Sequence, residues 1–230
     1  MPVRLEPPEG TRLMFEGKSV LDIVNMGGFT MYILLVCSVI SLTIVLERVI
    51  HYRRKRVDRL EFMGRIRAEV EKGAYDVAVT ICAMQDKPVA NVVEAGLKRH
   101  ARSPEEVSQA MEREILAETT RLEQFTGAVG VIGSTAVYIG LFGTVLGIVS
   151  AFHNISVTGS GGLPVVISGV AEALICTATG LLVAVPAVIA HSYLNRRVDR
   201  FVVDMEYCSS ETKELLLGRS GADASQDAAK

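Results

Sequence analysis

At 230 residues, the chain is 49% hydrophobic and 22% charged, a more apolar profile than an ordinary soluble domain of that length. Its 24 basic and 26 acidic residues leave a formal charge of -2, so no basic excess invites nucleic acid, and arguments from charge have to be local. Four cysteines, Cys37, Cys82, Cys176 and Cys208, show no paired spacing, which speaks against a disulfide framework and against a zinc site.

Residues 1–28 carry three basic residues, four acidic residues and three prolines, the wrong start for a cleaved signal peptide. They read as a short retained arm. The uncharged run Phe29 to Leu46 is long enough to cross a hydrocarbon core and predicts a first span over 29–47. Arg48 to Arg59 then holds six Lys/Arg against one Asp, so the positive-inside rule places the arm outside and this cluster in the cytoplasm.

Residues 48–126 read as a cytoplasmic helical region. "SPEE", Ser103 to Glu106, has the form of a capping box, with Ser103 as N-cap and Pro104 at the first helical position. No proline follows before Phe152, which predicts one unbroken rod from Ser103 into a second span over 127–152. Glycines recur through that span, and Gly143 with Gly147 forms a GxxxG beside Gly140, spacing that lets helices approach closely in lipid. Packing of the chain's own spans and association between copies both account for them, and glycines on several faces lean toward an oligomer.

An uncharged turn over 153–162 leads to a third span over 163–194. Between Gln124 and Asn195, a stretch of 72 residues, Glu172 is the only Asp, Glu, Lys or Arg. A charge at the centre of a span costs roughly 2.5–3.5 kcal/mol on insertion scales, so Glu172 should face protein or a wet path. It reads either as a protonated packing residue or as a proton relay or gate. Thr144, Thr177 and Thr179 could each simply bond the carbonyl one turn earlier. At about 100° per residue, Glu172 shares a stripe with Cys176 and Thr179 while Thr177 lies roughly 140° away, so Glu172 and Thr177 cannot both face one lumen squarely. Thr177 belongs with Val170, Ala173, Leu181 and Ala184, and Thr144 with Gly133, Val137, Gly140 and Ile148: two smooth walls with one alcohol each. Pro186 interrupts the third span's hydrogen-bond ladder and predicts a kink. Leu194, Val198, Phe201, Met205 and Cys208 continue as an apolar seam for a partner helix over 195–217, and 218–230 has the composition of a disordered tail. The expected fold is all-α: a polytopic membrane protein with three transmembrane helices, two of them extended into a cytoplasmic helical bundle.

"STAVYIGLFGTVLGIVSAF" followed by "AEALICTATGLLVAVPAVIA" resembles the MotA/TolQ/ExbB proton-channel family, most closely its ExbB and TolQ branch. The resemblance is strong over Gly133 to Arg197. It implies a non-enzymatic inner-membrane channel subunit with protons as coupling ion and no other cofactor. It also implies a pentamer around the single-span helices of an ExbD or TolR-like partner, driving a TonB-like or TolA-like protein. The family's channel threonines and glutamate fall on Thr144, Thr177 and Glu172. Relatives usually carry proline after S-T-A, where this chain has Val137, which puts the curvature of the second span in question.

Overall fold

The computed structural model describes residues 28–158 and 163–227, and the arm over 1–27 lies outside the described residues. Seven helices follow in order among them: α1 Gly28–Arg54, α2 Arg59–Glu71, α3 Tyr75–Ala83, α4 Pro88–Leu97, α5 Pro104–Glu123, α6 Thr126–Thr158 and α7 Leu163–Asp227. Three stretches are long and apolar enough to cross a membrane: Gly28–Arg54, Thr126–Ser156 and Val166–Gly218. The chain is therefore an all-α protein with three candidate spans. Contacts divide the described residues into a span unit, which includes Gly28–Leu42 and described residues of Gly130–Val188, and a helical unit, Thr43–Val129 with the described residues from Ile189.

In the helical unit the short helices begin where local chemistry starts them. Asp58 caps α2 by accepting from the backbone N–H groups of Leu60 and Glu61, and Ser103 caps α5 through the N–H of Glu106, as the capping-box pattern predicts. The apolar faces of these helices meet the late part of α7. Leu194, Val198, Phe201, Met205 and Cys208 are all buried in one core with Tyr52, Ile66, Val93, Leu97 and Met111. The seam expected for a partner helix is thus filled by this chain's own helices. Ion pairs from Arg59 to Asp204 (3.0 Å) and from Arg67 to Glu211 (2.5 Å) fasten α2 to α7. Glu118, 6% exposed, accepts from Asn91 Nδ2 at 2.9 Å and pairs with Arg121, which keeps its buried charge compensated.

The unbroken rod is corrected by the structure. Helix α5 stops at Glu123, Gln124 turns extended (ψ 130°), and Phe125 adopts a positive φ of 66° before α6 begins at Thr126. A left-handed phenylalanine is strained, so surrounding contacts must hold it. Arg48 sits 5.4 Å from the centre of the Phe125 ring, Thr126 Oγ1 donates to Glu123 O at 2.7 Å, and the His191 ring lies 3.0 Å from Thr126 O. The second span is consequently not the continuous extension expected. Helix α1 continues past its span to Arg54, and α7 runs to Asp227, beyond Gly218, into the segment whose composition suggested disorder. Helix α7 also continues through Pro186, which is exposed, and α6 continues through Val137.

Burial pushes the thiols of Cys82 and Cys208 up to about 12 and, foremost, raises the Tyr52 phenol to about 12 as well. At pH 8 each thiol holds about a thousandfold less thiolate than one at the ordinary value, so neither should react with iodoacetamide until the protein unfolds. All three groups are acids with raised pKa. Their contribution to stability is complete below the unfolded values and is lost as pH climbs toward 12. Melting temperature should therefore fall between about pH 9 and about pH 12, and Cys82→Ala/Cys208→Ala should flatten that fall.

Candidate functional site

The span unit is organised by the absence of side chains. A Cβ added to Gly140 would lie 2.9 Å from Cys176 O and 3.1 Å from Gly180 Cα, and one added to Gly180 would lie 2.7 Å from Ala136 O. Backbone of α6 thus rests directly on backbone of α7. The same seam is tight above and below: Gly133 faces Val188, Gly147 faces Ala173, and Ala151 faces Gly169, all at 2.6–2.8 Å by the same measure. Gly133, Gly140 and Gly147 recur every seven residues, which keeps one stripe of α6 against α7. Gly143 instead faces Cys176 and the Thr30 hydroxyl of α1. Of the two accounts of these glycines, packing of the chain's own spans describes Gly133, Gly140, Gly143 and Gly147.

Thr177 lies on that seam. Its hydroxyl donates to Gly140 O at 3.2 Å, across the two helices. Thr144, 8% exposed, donates to Leu141 O in its own helix at 2.6 Å, and Thr179 donates to Ile175 O at 2.9 Å. Back-bonding therefore describes Thr144 and Thr179 but not Thr177. Each donating hydroxyl still has lone pairs with which to accept a proton donor. In Thr177→Val, loss of one cross-helix bond is expected to cost about 0.6 kcal/mol, against almost nothing for Thr144→Val; chemical denaturation of the two variants in detergent measures the difference.

Glu172 occupies a different place. It lines a cavity of about 570 Å³ within the span unit, together with Thr30, Ser150, Asn154, Ser168 and Cys176, over a floor of Gly143, Gly147 and Ala173. The volume would admit on the order of ten waters. Thr144 and Thr177 are absent from its lining, so within one chain Glu172 and Thr177 do not share a cavity wall, in keeping with the angular argument. Cys176 shares the wall with Glu172, also as expected, and accepts from Thr30 Oγ1 at 3.7 Å. Thr30 is what sequence reasoning missed. The first span also contains Ser38, Ser41 and Thr43, and nothing local distinguishes the alcohol that meets α6 and α7.

Three helices long and apolar enough to span a bilayer define a membrane protein, and a carboxylate lining a cavity between them marks a candidate functional residue. A family model described as "MotA/TolQ/ExbB proton channel family" matches residues 84–207. A protein of Methanothermobacter thermautotrophicus described as a biopolymer transport ExbB homolog is 30% identical over 197 residues, covering 84% of this chain and 69% of its own. The biopolymer transport protein ExbB of Pseudomonas putida is 38% identical over 112 residues (49% of this chain, 34% of that protein). The Tol-Pal system protein TolQ of Pseudomonas aeruginosa is 35% identical over 128 residues (51% and 55%). The matched stretch thus spans about two thirds of the first relative but only a third to a half of the other two. The chain belongs to the MotA/TolQ/ExbB proton channel family, in its ExbB and TolQ branch.

Proposed function

We propose that this chain is a proton-channel subunit of an inner-membrane motor of the ExbB–ExbD type, coupling proton flow to mechanical work on the cell envelope such as TonB-dependent import. The observation that carries the reading is Glu172, the only Asp, Glu, Lys or Arg of the second and third spans, lining a cavity that also carries Thr30, Ser150, Asn154 and Ser168. Assembly is a homo-oligomer of five copies around the single-span helix of an ExbD or TolR-like partner. Thr144 and Thr177, whose hydroxyls already donate to carbonyls, accept a hydrogen bond from the partner's protonated carboxyl. Glu172 serves the same proton path from its own face. Exposed Phe142, Val145, Val149 and Phe152 of α6 leave apolar surface for lipid, neighbouring copies or the partner helix.

Acidification of vesicles containing this chain and its partner tests the reading, and a reconstituted complex that carries no proton current would reduce the protein to a scaffold. Topology is checked separately. Single cysteines at Met84 and His153, both exposed, should react with an impermeant reagent from the cytoplasmic and the opposite side respectively. Labelling of both from one side refutes the three-span arrangement. The relatives carry both ExbB and TolQ names. A TonB-like gene neighbour supports import, and a TolA-like one assigns the motor to envelope integrity.

A further inference from the structure

Four arginines of the helical unit converge on a second cavity, of about 300 Å³. Arg53 and Arg56 come from the end of α1 and the residues after it, Arg197 and Arg200 from α7. Among the described residues none of the four has a carboxylate within 4.0 Å. Asp204 is the one acidic residue in the lining, and its carboxylate already pairs with Arg59 at 3.0 Å. Like charges brought together without counter-charge repel, so the cavity is arranged for an anion. Guanidinium forks match phosphate oxygens two at a time, which favours a phosphodiester over a simple halide.

Position selects the source of that phosphate. Arg53 follows the last residue of the first apolar run, Leu46, by about 10 Å of helix, and Arg197 and Arg200 follow Tyr193 by about 6 and 10 Å. A bilayer's polar layer extends roughly 5–8 Å beyond its hydrocarbon core on each side, within reach of side chains that bend back toward it. Tyr193 and Tyr52 line the same cavity, and Arg197 Nε donates to Tyr193 Oη at 3.0 Å. Tyrosine at the edge of an apolar run, next to clustered arginine, suits the headgroup level. The geometry points to a binding site for the phosphodiester headgroup of an anionic phospholipid, held between α1 and α7 by Arg53, Arg56, Arg197 and Arg200. The site does not depend on proton conduction.

The test uses the full chain, purified in detergent, delipidated and titrated by native mass spectrometry with phosphatidylglycerol or phosphatidylcholine. Phosphatidylglycerol should bind in preference, and Arg197→Gln/Arg200→Gln should weaken it about 25-fold, some five-fold per arginine, without altering phosphatidylcholine binding. Should that variant fail to fold, Arg53→Gln/Arg56→Gln on the facing wall is expected to give the same loss. Arg65→Gln/Arg113→Gln, outside the cavity, should change nothing. Equal binding of the two lipids, or unaltered phosphatidylglycerol binding in both cavity variants, overturns the proposal. So does displacement of the lipid by an equal concentration of inorganic phosphate, which would make this a soluble-anion site.

Discussion

Gly180→Val is expected to leave little folded protein. A Cβ at this position lies 2.7 Å from Ala136 O, 3.0 Å from Gly140 Cα and 3.3 Å from Gly140 N, and every one of those atoms is backbone. Side chains can turn aside, whereas helix backbone has to translate as a whole. Overpacking typically costs 1–3 kcal/mol, and the two further methyl groups of valine at a backbone contact place this variant at or beyond the upper end. Gly180→Ala separates the steric effect from intrinsic preference. Alanine gains roughly 1 kcal/mol over glycine in an open helix, so at Gly127, where nothing lies within 4 Å of the added Cβ, substitution should be neutral or stabilising. At Gly180 the same change should lower the melting temperature in detergent. If Gly180→Ala melts at or above the parent, the backbone contact between α6 and α7 is refuted.

Glu172→Gln is expected to preserve expression, assembly and partner binding while reducing proton-driven transport at least about a hundredfold, the loss that follows removal of a positioned proton-transfer group. Glutamine keeps the size and hydrogen-bonding capacity of the residue on the cavity wall and removes only the titrating proton. A packing role would therefore leave activity unchanged, which is the result that returns Glu172 to structure. The energetics favour repeated sites. One proton crossing 100 mV supplies about 2.3 kcal/mol, whereas moving a two-state element from 1:99 to 99:1 takes about 5.5 kcal/mol. Two or three protons per stroke meet that requirement, and a ring of identical subunits offers them. Thr177→Val should share the transport defect despite its small cost in stability, so activity and melting temperature ought to diverge in that variant. Parallel losses in both would mean that the hydroxyl only fastens α7 to α6.

Much of this protein follows from its sequence. Apolar runs that hold no charge but Glu172 mark the three spans because burying a charge in hydrocarbon is costly, and the same cost singles out Glu172. The Ser103 cap and the seam from Leu194 to Cys208 are equally legible, since capping and helical periodicity are local. Tertiary structure decided what meets what. Gly140 and Gly180 are 40 residues apart, and a glycine's spacing announces a close approach without naming the helix that makes it. Thr177 and Thr144 look alike in sequence, yet only Thr177 finds a carbonyl on another helix, because only its side chain points across the seam. Thr30 and the four arginines of the basic cavity likewise acquire meaning only when distant segments converge. The turn at Phe125 had no local signal at all. Phenylalanine does not favour a positive φ, and the strain is held by contacts from Arg48 and His191, which lie 77 and 66 residues away along the chain.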